Sequence, residues 1–103
     1  MAVDQMVRKV QDELKTSKMR SRLPKNPRVV DIRVEDYVDT DGEDALRVTV
    51  VIDEDVDVEK VHGDEITAVR RAIHDRVRGL GIDLWPYVRF AKPSEIGEAD
   101  DEG

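Results

Sequence analysis

The run DTDGED, Asp39 to Asp44, packs four carboxylates into six residues, and oxygen donors at that density are what a calcium ion takes. A calcium-binding helix–loop–helix segment needs acids at alternate positions, a glycine at the sixth and a glutamate at the twelfth. Here the glycine is fourth from Asp39, and a hairpin turn wants the same Asp and Gly residues for backbone reasons. The turn is the preferred reading. The two histidines, His62 and His74, have Asp64, Glu65 and Asp75 nearby. Twelve residues at about 100° each put the rings on different sides of one helix, and neither has a second histidine at i+4. Both are expected at the solvent, and no metal site is assigned. The acidic run DEDVDVE, Asp53 to Glu59, suits a magnesium ion or a basic partner on charge alone. Acids are equally at home where a strand passes into a helix start, because the helix dipole favours them there. GLG is too short for a phosphate loop and no Lys-Ser/Thr follows it. The serines Ser17, Ser21 and Ser94 stand in irregular contexts. The expectation is a protein that is not an enzyme, with no catalytic residue, metal or cofactor.

The elements that position these residues follow from composition and period. A chain of 103 residues is one domain, and with 4% aromatic residues its core must be built on Val, Ile and Leu. No window approaches the roughly 18 apolar residues of a membrane helix. The N-terminus, MAVDQMVRKV, lacks the apolar region of a signal peptide, and the absence of cysteine excludes disulfides and thiolate zinc sites. The expected location is the cytoplasm of a bacterium or archaeon.

Val3, Met6, Val7, Val10 and Leu14 form one apolar stripe at helical spacing, with Asp4 in the first turn, and predict a helix over 3–18. Pro24 and Pro27 make 19–27 a connector. The period then changes to two: Val30, Ile32 and Val34 alternate with Val29, Asp31, Arg33 and Glu35. After the Asp/Gly loop, Leu46, Val48, Val50 and Ile52 alternate with Ala45, Arg47, Thr49 and Val51. This predicts a β-hairpin over 28–53 with one buried face. Val58, Val61, Ile66, Val69, Ile73 and Val77, with Ala68 and Ala72 alongside, predict a helix over 56–79. Asp55 or Asp57 is its expected cap, Gly63 a point where it can split, and Gly79 and Gly81 its stop. A last strand spans 84–91, and 94–103 is an acidic tail expected to be disordered. The fold class is therefore α+β, a two-layer sandwich in the order α-β-β-α-β. It has a three-stranded mixed sheet with both helices on one face, within a single domain over 1–93. A right-handed crossover makes the third strand parallel to the second, although its place in the sheet stays open. Pro86 favours an edge.

The last strand reads LWPYVRF and holds Trp85, Tyr87 and Phe90, three of the chain's four aromatic residues. Alternation puts Leu84, Pro86, Val88 and Phe90 toward the helices. Trp85, Tyr87 and Arg89 then join Arg33 and Arg47 on the open face, where these residue types make a candidate protein-binding surface. The competing reading makes Trp85 a cap on the core's edge and pairs Arg33, Arg47 and Arg89 with Asp31, Glu35 and Asp53.

Net charge is −7 and unevenly spread: residues 1–28 carry eight basic and three acidic side chains. Lys15, Lys18, Arg20, Arg22 and Lys25 form an alternative basic patch, with Arg28 at its end. Such a segment can bind a polyanion or neutralise its own acidic domain. The element order resembles that of ribosome-binding factor A, a KH-like domain with a basic first helix, and PYVRF before an acidic tail looks loosely alike. That resemblance implies RNA binding, although EITAVRRAIHDRVRG lacks the Ala-x-Gly kink of that family's helix pair. The order also resembles the cytosolic domain of cation diffusion facilitators, which implies dimers that bind metal through histidines; this chain has two. The favoured expectation is a small accessory or regulatory protein acting by protein–protein binding or self-association, such as an inhibitor or antitoxin-like partner of a basic protein. The alternative is an RNA- or ribosome-associated factor using 15–28. Nucleic acid is the less favoured partner, and neither a membrane nor a small-molecule substrate is indicated.

Overall fold

The computed structural model describes residues 3–96. Helices α1 (Val3–Leu14) and α2 (Ser17–Arg20) lead into strands β1 (Val29–Val38) and β2 (Asp44–Ile52). A 3-10 turn (Val58–Lys60), helix α3 (Gly63–Gly79) and strand β3 (Trp85–Ala91) complete the order. The α+β class and the α-β-β-α-β order stand as expected. Strand β2 pairs antiparallel with β1 and parallel with β3, so the sheet runs β1-β2-β3 with β2 in the middle. That settles the position the sequence left open and puts Pro86 on an edge strand. No helix among the described residues is long and apolar enough to cross a membrane.

The core is one aliphatic cluster. Val10 and Leu14 from α1 and Val69, Ile73 and Val77 from α3 meet Leu46, Val48, Val50 and Ile52 of the central strand. Ile32, Val34 and Val88 close it from the edge strands. Glu13 and Arg76 tie the two helices across the top with a 2.6 Å ion pair.

Local chemistry moves several predicted boundaries. The first helix stops at Leu14, because Thr16 takes an extended conformation and its hydroxyl accepts the Met19 N–H, starting α2 afresh. Met19 is buried, so the expected connector 19–27 carries a core residue. The second long helix splits at Val61 and His62, both extended, just before Gly63 opens α3. Asp57 caps the 3-10 turn through the Glu59 N–H, and Val58 lies exposed, outside the apolar stripe. Helix α3 ends where Gly81, at φ +75°, turns the chain in the left-handed region. In β1 the register shifts between Val29 and Asp31. The bulge reverses the expected facing there: Val29 packs against the core and Val30 is 37% exposed. Of the expected acidic tail, 94–96 belong to a helical turn over 93–96, which Glu54 holds through the Ser94 N–H and hydroxyl. Residues 97–103 lie outside the described residues.

Candidate functional site

Register builds the helix-free face row by row. Arg33, Thr49 and Arg89 lie abreast on the three strands; Glu35, Arg47 and Tyr87 form the next row, and Tyr37, Ala45 and Trp85 the third. Long side chains from the edge strands close over the middle one, so Thr49 is only 3% exposed and Ala45 and Val51 are buried too. The sequence expected Thr49 and Val51 on an open surface. Thr49 is covered because Arg33 and Arg89 flank it on the edge strands; Val51, between Asp31 and Ala91, is buried too.

The roof is bonded. Arg89 Nε donates to the Thr49 hydroxyl at 2.8 Å, and the Arg47 guanidinium sits 4.3 Å above the Tyr37 ring. Tyr37 and Tyr87 meet edge to face at 5.5 Å. The Tyr87 hydroxyl donates to Asp39 at 3.1 Å. Burial and the neighbouring Asp39 push the Tyr87 phenol above its ordinary range. Arg33 pairs with Asp31 at 3.5 Å and Arg47 reaches Glu35 at 4.0 Å. These two ion pairs were anticipated; Arg89 instead bonds Thr49, and Asp53 pairs with Arg28. Tyr37 and Asp39 are members of this surface that the sequence reading missed. Tyr37 shares the odd-numbered phase of Arg33 and Glu35, which was the available signal.

Trp85 departs from the expected patch. It is 56% exposed, but its indole packs edge to face on His74 of α3 at 4.7 Å. The ring therefore wraps the β3 edge toward the helix layer, away from the Tyr37–Tyr87 pair. The Trp85 and Tyr87 rings project from neighbouring positions without forming one continuous plate. Between Trp85 and the end of α3 lies a cavity of about 220 Å³, walled by Val77, Arg78, Ile82 and Leu84. His74, expected at the solvent, is half-buried here. Burial lowers its pKa below the ordinary value, and the nearby Arg78 and Arg70 add to this.

Side chains bond backbone groups on both sheet edges. The Gln11 amide donates to the Ile32 carbonyl and accepts the Val34 N–H, both at 2.7 Å, so one side chain imitates a neighbouring strand along β1. Arg20 takes the Val30 carbonyl at 3.3 Å. On β3, Arg70 donates to the Val88 carbonyl at 2.6 Å. Pro86, two residues earlier in the same phase, has no N–H to offer there. Edges finished in this way resist pairing with another strand, which leaves the sheet's face rather than its edges as contact area.

The acidic loop is a turn. The Asp39 carboxylate accepts the Asp41 and Glu43 N–H groups, and Gly42 adopts φ +81°. The Glu43 backbone bond, with the Tyr87 hydroxyl, lowers the Asp39 pKa. Among the described residues no three His, Cys, Asp or Glu side chains cluster closely enough to hold a metal ion. His62 begins α3, and its N–H donates to Glu65. The basic segment divides. Lys15 pairs with Asp31 beside the sheet face, whereas Arg20 and Lys25 gather with Arg28 around a cleft at the other end of the connector. Lys18 lies near Glu13, and Arg22 is exposed.

The fold and face together define a class: a two-layer α+β sandwich whose uncovered sheet face carries an arginine–tyrosine roof. Compared with known protein families, curated proteins and solved structures, the chain finds no match.

Proposed function

We propose that this chain is a non-enzymatic accessory or regulatory protein that acts in the bacterial cytoplasm by binding another protein through the helix-free face of its sheet. One observation carries the reading. Tyr87 is 40% and Trp85 56% exposed on an edge strand, although Pro86 and Val88 already anchor that strand to the core. Tyr87, set among Arg33, Arg47 and Arg89 on the face, and Trp85 at its rim are residue types on which contact energy concentrates.

Charge points to the partner. The arginines are balanced by Asp31, Glu35 and Asp39, so the face offers ring surface and hydrogen bonds rather than a net positive field. The whole protein carries −7, which steers a basic partner toward it, as suits an inhibitor or antitoxin-like protein. Self-association through the same face is the other use of these residues.

The test is co-purification of the tagged protein beside its Trp85→Ala/Tyr87→Ala variant, both checked for folding by circular dichroism, with sedimentation to report self-association. A stoichiometric protein or dimer that the folded variant loses, with affinity lower by about 2 kcal/mol or more, supports the reading. A folded variant that keeps every association refutes it. Nucleic acid retained by both proteins, with no protein or dimer that the variant loses, shifts the case to an RNA- or ribosome-associated factor acting through the basic segment.

A further inference from the structure

The cleft between the end of α2 and the start of β1 is lined by Arg20, Lys25 and Arg28 with Leu23, Pro24 and Val29, and encloses about 410 Å³. No acidic side chain is among its lining residues, in a protein whose net charge is −7. The connector that forms the cleft is tied down at both ends. Met19 and Pro27 are fully buried on either side of it, and the Arg22 and Leu23 N–H groups bond back to the Met19 and Arg20 carbonyls. Arg20 reaches the Val30 carbonyl at 3.3 Å, while Lys25 and Arg28 are exposed, Arg28 lying 3.7 Å from Asp53, which an arriving anion must displace.

We propose that this cleft binds a phosphate-bearing nucleotide, its phosphate held by Arg20, Lys25 and Arg28 and its sugar or base resting on Leu23, Pro24 and Val29. Guanidinium forks match phosphate oxygens two at a time, and lysine adds a point charge. No aromatic ring lines the cleft, so the base has nothing to stack on and recognition is of phosphate rather than of sequence. The phosphate can belong to a free nucleotide or to a single-stranded RNA. The site lies apart from the sheet face, and either assignment can fail without the other.

The experiment is amide chemical-shift titration of the whole chain with adenosine monophosphate, with a ten-residue oligouridylate, and with sulfate at matched ionic strength. The expected result is shifts confined to residues 20–30, weakened about tenfold or more in Lys25→Ala and again in Arg28→Ala, both exposed positions. Saturation by the mononucleotide alone assigns a free nucleotide. Binding of the oligonucleotide at least tenfold tighter, with a salt slope near −2 for about three phosphates, assigns an RNA strand. Equal shifts with sulfate, meaning an adventitious ion only, overturn the proposal. So do shifts that persist in the doubly substituted protein, or none with either nucleotide.

Discussion

Replacing Gln11 with Met tests how the sheet is finished at its β1 edge. Methionine keeps the length of the side chain and a helix propensity close to that of glutamine, so α1 itself should survive. What disappears is a pair of 2.7 Å hydrogen bonds, to the Ile32 carbonyl and from the Val34 N–H. A net contribution of about 1 kcal/mol each gives a loss near 2 kcal/mol. The site is only half-buried, so water can reach the freed backbone groups and the full desolvation penalty does not apply. For a domain of this size such a loss lowers Tm by roughly 10 °C. Urea unfolding should show a lower midpoint with unchanged slope, and the Val34 amide should lose hydrogen-exchange protection ahead of Val48 and Val50. The exposed edge should also promote association at high concentration. A loss below about 0.5 kcal/mol with Val34 protection intact would show that Gln11 merely accompanies the edge. The claim that side chains leave the face as the contact area would then fall.

Two further outcomes follow from the same geometry. His74 has its folded-state pKa lowered by burial, with Arg78 and Arg70 adding to the effect, Asp75 opposing it and Trp85 packed on its ring. Its neutral form is thus the one the fold prefers. The stability it lends is complete above its ordinary value of 6.5 and is lost as pH falls through the lower folded value. Thermal unfolding followed as pH falls below 6.5 should therefore show a decline that His74→Gln flattens; an unchanged profile would remove His74 as its source. Leu46→Ala, on the central strand in the fully buried cluster, should destabilise by about 2–5 kcal/mol in urea unfolding, and Val58→Ala, exposed on the 3-10 turn, by under about 0.5 kcal/mol.

Much of the architecture was legible because it rests on period. Alternation in 28–53 and the spacing of Val69, Ile73 and Val77 name the residues that face the helices, since the period fixes which side chains share a face. Gly81 marked the end of helix α3 because backbone freedom is a property of the residue itself. Pro86 announced an edge because its missing N–H is local chemistry. Where a side chain competes with the backbone, the reading slipped. Thr16 broke the first helix by capping the next, and the bulge at Val30 exchanged the facing of two adjacent valines that alternation alone cannot tell apart.

The candidate surfaces divide along the same line. Sequence determined that Tyr87, Arg89, Arg33 and Arg47 share a face, since residue parity and strand pairing suffice for that. Only the tertiary structure decided that Trp85 turns away to His74, that Thr49 is roofed over, and that Gln11 closes the β1 edge. It also decided that the basic run splits, sending Lys15 to Asp31 and gathering Arg20, Lys25 and Arg28 around one cleft. Each of these is a meeting of side chains far apart in the chain. Local propensity and period carry no record of which distant partner a long, flexible side chain will reach.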